Sequence, residues 1–280
     1  MALYKMYFSP TGNVRKIVKA FSKGVSKGLK SNKINEQHLK EELIDITPLK
    51  GRVDYEFQKD DVVVIGFPIY AGRLPNKLVY YFDHLKGNGA KAIGIVSYGC
   101  RSFGDGLVEL DINLRNSGFD VCGLMAVPSA HSFAAIGVGR PTDTEFNQLE
   151  QIGFEISEGG FQSVAKDKAP GNNPPGPYYR PLEEDGSFAD FLKAKPVTDE
   201  ELCDDCRMCV KVCPMGSIDE IDVTSVPGIC IKCQGCVNIC HKNAKYFDHS
   251  SFLSHKRMLE RDYSANWPEL TVVMTSGFKA

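Results

Sequence analysis

Short apolar runs alternate with segments of helical periodicity through the first 165 residues of the chain. Leu3–Phe8, Val62–Phe67, Ala90–Ser97 and Phe119–Val127 read as strands. Three are almost uninterrupted in apolar character, as expected for strands buried on both faces of a parallel sheet. Leu39–Ile46 is a weaker strand. Val14, Ile17, Val18, Phe21 and Val25 recur at helical spacing with lysines opposite them. Lys77–Leu85, Gly106–Asn116 and Thr142–Gln162 read as further helices, the last opened by a Thr142–Glu145 capping box. This alternation predicts an α/β fold with a doubly wound, parallel, five-stranded sheet.

The pattern then breaks. Lys168–Pro181 holds Pro170, Pro174, Pro175, Pro177 and Pro181 with Gly171 and Gly176, a composition that continues neither helix nor sheet. The expected division is a first domain over 1–167, a Pro-rich linker over 168–196, a small α+β domain over 197–247 and a tail over 248–280. A short helix is expected within 182–195, a second around Phe252–Glu260, and an extended segment at Leu270–Met274.

The 280 residues carry a net charge of −2, which argues against a nucleic-acid partner. The charge is uneven. Residues 1–40 hold nine Lys or Arg against the single acid Glu36, while residues 183–222 hold twelve acids against four bases. The two regions are either solvated faces or surfaces that attract each other or redox partners. No secretory pattern opens the sequence, and no apolar run nears the ~18 residues of a membrane span. A cytoplasmic location is therefore expected, where ten cysteines point to metal rather than disulfides.

Cys203, Cys206, Cys209 and Cys213 follow C-x2-C-x2-C-x3-C, with Pro214 next. Cys230, Cys233, Cys236 and Cys240 repeat the spacing 27 residues later, with His241 next. Three closely spaced thiolates wrap one [4Fe–4S] cluster while the fourth is carried to the other. One cluster then takes Cys203, Cys206, Cys209 and Cys240, and the other takes Cys230, Cys233, Cys236 and Cys213. Zinc also uses paired C-x2-C units but has no need of a third cysteine plus a displaced fourth. Over about 197–247 the sequence resembles bacterial two-cluster ferredoxins, departing at His241, where that family often has proline.

Ser9-Pro-Thr-Gly-Asn13 links the first strand to the first helix, a turn suited to an anion. It lacks the lysine of a P-loop and the three glycines of a dinucleotide fingerprint. Through Ser9, Thr11, Gly12 and Asn13 it resembles the phosphate loop of flavodoxins, with Val14 where a further hydroxyl would stand. Pro68, Ile69, Tyr70, Ala71 and Gly72 resemble the loop beside the isoalloxazine ring, with Tyr70 as stacking partner. Ser97, Tyr98, Gly99, Cys100, Phe103, Gly104 and Asp105 resemble the second ring loop. FMN is thus the implied cofactor of the first domain, beside two [4Fe–4S] clusters in the second.

The order of domains resembles flavodoxin–ferredoxin fusion proteins of anaerobic bacteria and archaea. The resemblance implies an electron carrier that couples one- and two-electron steps and meets donor and acceptor proteins. FMN and clusters would meet within one chain or across a homodimer. The alternative is a ferredoxin-fed, FMN-dependent reductase, which would show a pocket at the ring edge lined from Cys100–Phe103 and His131–Phe133. The latter belong to Pro128–Pro141, a long connection that also contains Ser132 and Arg140 and is a candidate for shielding the flavin.

Overall fold

The computed structural model describes residues 1–31 and 39–275. Strands β1 (Ala2–Tyr7), β2 (Lys40–Asp45), β3 (Val62–Pro68), β4 (Lys91–Tyr98) and β5 (Asp120–Pro128) form one parallel sheet in the order 2-1-3-4-5. This is the flavodoxin-like, doubly wound order, whose ligand crevice lies at the carboxyl ends of β1 and β3. Helix α1 (Asn13–Ser31) and α3 (Asp143–Glu158) cover one face, and α2 (Gly106–Asn116) covers the other. The periodic residues Val14, Ile17, Val18, Phe21 and Val25 are all buried against the sheet. α1 and α3 cross closely because a Cβ at Gly24 would lie 1.8 Å from the carbonyl oxygen of Glu150. Thr142 and Glu145 form the expected capping box.

Three of the five lysines of α1 find carboxylates near at hand. Lys23 and Lys27 pair with Glu150 of α3, and Lys30 with Glu41 of β2. Among the described residues no ion pair joins residues 1–31 to the acidic stretch 183–222.

Two elements differ from expectation, and a third, extended as expected, gains a role. Residues 77–85 form a 3-10 turn over Val79–His84 rather than an α-helix, because consecutive bulky residues Val79, Tyr80, Tyr81 and Phe82 crowd a helix and Pro75 starts the turn with i+3 bonding. Residues 182–195 contain no helix. Gly186 adopts φ +84° and Asp185 accepts from the backbone of Ser187, closing a turn instead. Leu270–Met274 is more than a tail. Its core, β8 (Thr271–Val273), returns to the sheet antiparallel to β5, with Val272 opposite Met125, and makes a sixth strand that covers the open edge.

The C-terminal region reproduces its sequence repeat in the backbone. α4 (Met208–Val212) and α5 (Gly235–Ile239) are each preceded by a left-handed residue, Arg207 at φ 58° and Gln234 at φ 64°. The backbone N–H of Ser217 donates to Cys213 Sγ at 3.3 Å, and that of Ala244 to Cys240 Sγ at 3.2 Å. Strands β6 (Val197–Thr198) and β7 (Lys245–Tyr246) pair antiparallel and close the unit. Helix α6 (Ser250–Tyr263) then packs back on the first domain, Met258 and Leu259 against Cys100, Ala134 and Ile136.

Candidate functional site

At the end of β1 the chain turns at Gly12, φ +89°, whose N–H donates to the carbonyl of Ser9 at 3.2 Å. Ser9 Oγ accepts from the N–H of Arg15, and the Asn13 side chain donates to the carbonyl of Ala130. The first turn of α1 carries no acid, and with Arg15 N–H on Ser9 Oγ and Lys16 N–H on the Gly12 carbonyl, the N–H groups of Asn13 and Val14 at the helix end are the ones that suit an anion. A cleft of about 450 Å³ runs from here, lined by Ser9, Thr11, Asn13, Val14, Pro68, Ile69, Tyr70, Ser97 and Gly99.

It continues into a larger chamber of about 940 Å³ that adds Ala71, Gly72 and Tyr98 to the wall. The combined shape, an anion-binding turn leading to a slot beside Tyr70 and Tyr98, fits a phosphorylated flavin. Gly72 has φ +79°, and a Cβ there would meet the Tyr179 ring at 2.7 Å, so the position requires glycine.

Four expected residues stand elsewhere. Cys100 is fully buried behind the wall, donating from Sγ to the Ser129 carbonyl at 3.3 Å, and burial raises its thiol pKa. Phe103 packs edge-on against Tyr98, and a Cβ on Gly104 would meet the carbonyl of Gly72. Asp105 holds the Pro-rich segment. It accepts from the backbone N–H groups of Asn172 at 2.9 Å and Gly176 at 2.8 Å, and these bonds, with Asn172 first, hold its carboxyl below the usual range. The same segment donates from Tyr179 N to Ala71 O and from Tyr178 Oη to Leu74 O. Residues 172–179 are therefore a strap across both ring loops rather than a free linker.

Residues outside those motifs complete the wall. Ser129, Ala130, His131 and Ser132 come from the long connection after β5, whose length was the only signal in the sequence. His131 packs on Gly99, where a Cβ would lie 2.3 Å from its ring. Its Nδ1 accepts from the N–H groups of Phe133 and Ala134, so Nε2 carries the proton. Burial, with His255 and Arg101 nearby, pushes its pKa down to about 4. Ile231 and Lys232, from between two cysteines of the second set, line the same chamber.

The structure brings Cys213, Cys230, Cys233 and Cys236 to one cavity of about 360 Å³, walled by Ile218, Val226, Ile229, Ile231 and Phe247. Burial, then the charges of neighbouring thiols, push Cys233 and Cys236 up to about 12. Four crowded sulfurs in an apolar cavity are a donor set for a cationic iron core, which fits a cluster. Of the first set, Cys209 is buried beside Ile218 and Val223, and Cys206 is exposed. His241, adjacent to Cys240, places Nδ1 4.0 Å from Cys206 Sγ and is itself bonded to Asp204 at 2.9 Å.

Two family profiles described as 4Fe–4S binding domains match residues 195–218 and 227–244. The C-terminal region is a 4Fe–4S binding region. Together with the strand order of the sheet, this makes the chain a fusion of a flavodoxin-like domain and a ferredoxin-type 4Fe–4S region. Among solved structures, a flavodoxin from the domain Archaea is 15% identical at TM-score 0.38, covering 57% of this chain and 98% of its own. Flavodoxin 1 from Bacillus cereus is 20% identical at TM-score 0.38, covering 56% and 97%. An oxidoreductase from Corynebacterium diphtheriae is 16% identical at TM-score 0.39, covering 57% and 94%. No curated protein matches the chain by sequence. No helix among the described residues is long and apolar enough to cross a membrane.

The 4Fe–4S region docks on the crevice of the flavodoxin-like domain. Gly235, at the start of α5, stands so close to the Ser9–Asn13 turn that a Cβ would lie 3.2 Å from the carbonyl oxygen of Pro10. Tyr70 is close enough to the second cysteine set that the charges of Cys233 and Cys230, after burial, raise its phenol pKa.

Proposed function

We propose that the chain is an internal electron relay between two [4Fe–4S] clusters and FMN. Cys203, Cys206, Cys209 and Cys240 would hold the outer cluster, and Cys230, Cys233, Cys236 and Cys213 the inner one. FMN would lie with its phosphate at Ser9–Val14 and its ring between Pro68–Gly72 and Ser97–Gly99. When bound, each cluster exchanges one electron, and FMN exchanges one or two.

The observation that carries this reading is a shared wall. Tyr70, from a ring loop, and Ile231 and Lys232, from between Cys230 and Cys233, line one chamber. A ring at Tyr70 and a cluster on Cys230 and Cys233 would be neighbours in a single chain, and no second copy is needed to connect them. The chain's own residues do the positioning. Ile231 packs into the first domain's core, and Arg52 bonds the carbonyl of Pro214. The outer set, with Cys206 exposed near Asp204, Asp205, Glu200 and Glu201, is where a protein donor carrying basic groups would reach the relay, in the reducing interior of the cell.

Anaerobic protein with FMN and about eight irons per chain, mixed with a rapid one-electron reductant, tests the relay. Bleaching of the clusters followed by FMN reduction at a rate independent of protein concentration is expected. A rate proportional to protein concentration would mean transfer between molecules and would sink the internal path.

A further inference from the structure

The chamber beside Tyr70 extends past the ring loops and is partly roofed on its far side. Its space of about 940 Å³, part of it open to solvent, adjoins the 450 Å³ cleft along the Ser9–Asn13 turn. Its roof comes from segments outside the parallel sheet: Phe133 from the connection after β5, Tyr179 from the strap, and Phe191 with His255 and Leu259 from the chain beyond it. The roof is a packed layer, with Phe133 and Phe191 ring centroids 4.9 and 5.5 Å from that of Phe252. A flavin that serves only protein partners needs a bare ring edge. Here that edge would face a partly roofed space.

The chemistry of the wall selects what enters. Arg101 and Lys232 are its charged residues, and it contains no acid. Lys232 is committed to the carbonyls of Leu192 and Cys230. Arg101 is clamped between the rings of Tyr179 and Tyr263, each 5.2 Å from the guanidinium carbon, and has no carboxylate partner among the described residues. An unpaired guanidinium favours a carboxylate, and the aromatic side chains of Phe133, Phe191 and Tyr179 in the wall favour a flat, conjugated body.

We infer that the outer part of this chamber is a binding site for a small conjugated carboxylate, seated over the ring position with its carboxylate on Arg101. The inference rests on the FMN assignment above and names the class of molecule that assignment would serve.

The test uses the full chain loaded with FMN and both clusters, titrated anaerobically with benzoate, cinnamate, crotonate and fumarate, and with cinnamyl alcohol as a neutral control. Saturable change in the FMN visible spectrum, matched by calorimetry, is expected for at least one carboxylate and not for the alcohol. Arg101→Gln should weaken that binding about ten-fold or more at unchanged FMN and iron content, with Arg101→Lys intermediate. If Arg101→Gln loses FMN, the Lys variant and the alcohol comparison on the unaltered chain decide. No response from fully loaded protein to any of the four acids, or equal binding by the Gln variant, overturns the inference. A chain that never takes up FMN fails the relay reading instead, so the two failures are distinct.

Discussion

The guanidinium of Arg52 donates to the carbonyl of Pro214 at 2.6 Å, joining residues 162 apart in sequence. Arg52 also bonds the carbonyls of Ile46 and Thr47, so it fastens the residue after Cys213 to the carboxyl end of β2. Hydrogen bonds from a charged donor contribute about 1.5–3 kcal/mol. Arg52→Met should weaken domain docking by an amount in that range while leaving FMN and iron content intact. Slower FMN reduction after cluster reduction, with faster proteolytic cleavage within 182–196, would bear this out. Unaltered kinetics would show that other contacts suffice.

Cys213 lines the cavity of the second cysteine set, although it lies next to the first in sequence. Cys213→Ser should therefore damage the cluster on Cys230, Cys233 and Cys236. Iron should fall from about eight toward about four per chain, leaving the paramagnetic signature of one reduced cluster. The decisive double variant adds Cys209→Ser, which should remove the remaining cluster, because Cys209 and Cys213 serve different clusters in the crossed scheme. If Cys209→Ser costs nothing further, the crossed ligand scheme is wrong.

Gly12 has φ +89° and no atom within 4 Å of where a Cβ would stand, so conformation, and not space, demands glycine there. Gly12→Val should distort the phosphate turn at a cost of about 1–3 kcal/mol and lower FMN occupancy. Thr11→Ala should lower it less. Iron content should hold in both. FMN retained at the level of the unaltered chain would place the phosphate elsewhere.

Folding holds His131 at a pKa of about 4, against about 6.5 when unfolded, because burial disfavours the charged ring. The sign follows directly. Above pH 6.5 both states are neutral and the group costs nothing. Between 6.5 and 4 the unfolded chain takes up a proton that the folded chain refuses, so stability falls with pH, by roughly 3 kcal/mol in all. His255, also lowered chiefly by burial, acts in the same direction. Melting temperature should drop across this window, and His131→Asn should flatten the slope. An unchanged slope would assign the acid sensitivity to other groups.

Much of the fold is legible locally. The apolar stripe Val14, Ile17, Val18, Phe21 and Val25 specifies a helix and its buried face, and Thr142 with Glu145 marks where α3 begins. The C-x2-C-x2-C-x3-C repeat is more explicit still. A 27-residue spacing reappears in the structure as paired left-handed residues and paired N–H···S bonds, because each half satisfies the same local geometry.

What was not legible depends on distant partners. The ring-loop pattern includes Asp105, yet the carboxylate is taken by Asn172 and Gly176, whose arrival nothing near Asp105 announces. Residues 77–85 satisfy a helical pattern but settle as a 3-10 turn where Tyr81 and Phe82 meet the core.

The sequence by itself determined the parallel sheet, the strand-to-helix turn at Gly12 and the eight cysteines with their two spacings, since periodicity and short-range spacing are properties of consecutive residues. Only the tertiary structure decided that the Pro-rich segment is a strap, that β8 closes the sheet edge, and that Ile231 and Lys232 share a chamber with Tyr70. Those arrangements come from many weak contacts between segments far apart in the chain. No single residue encodes them, because each contact is favourable only once the others have brought its partner into reach.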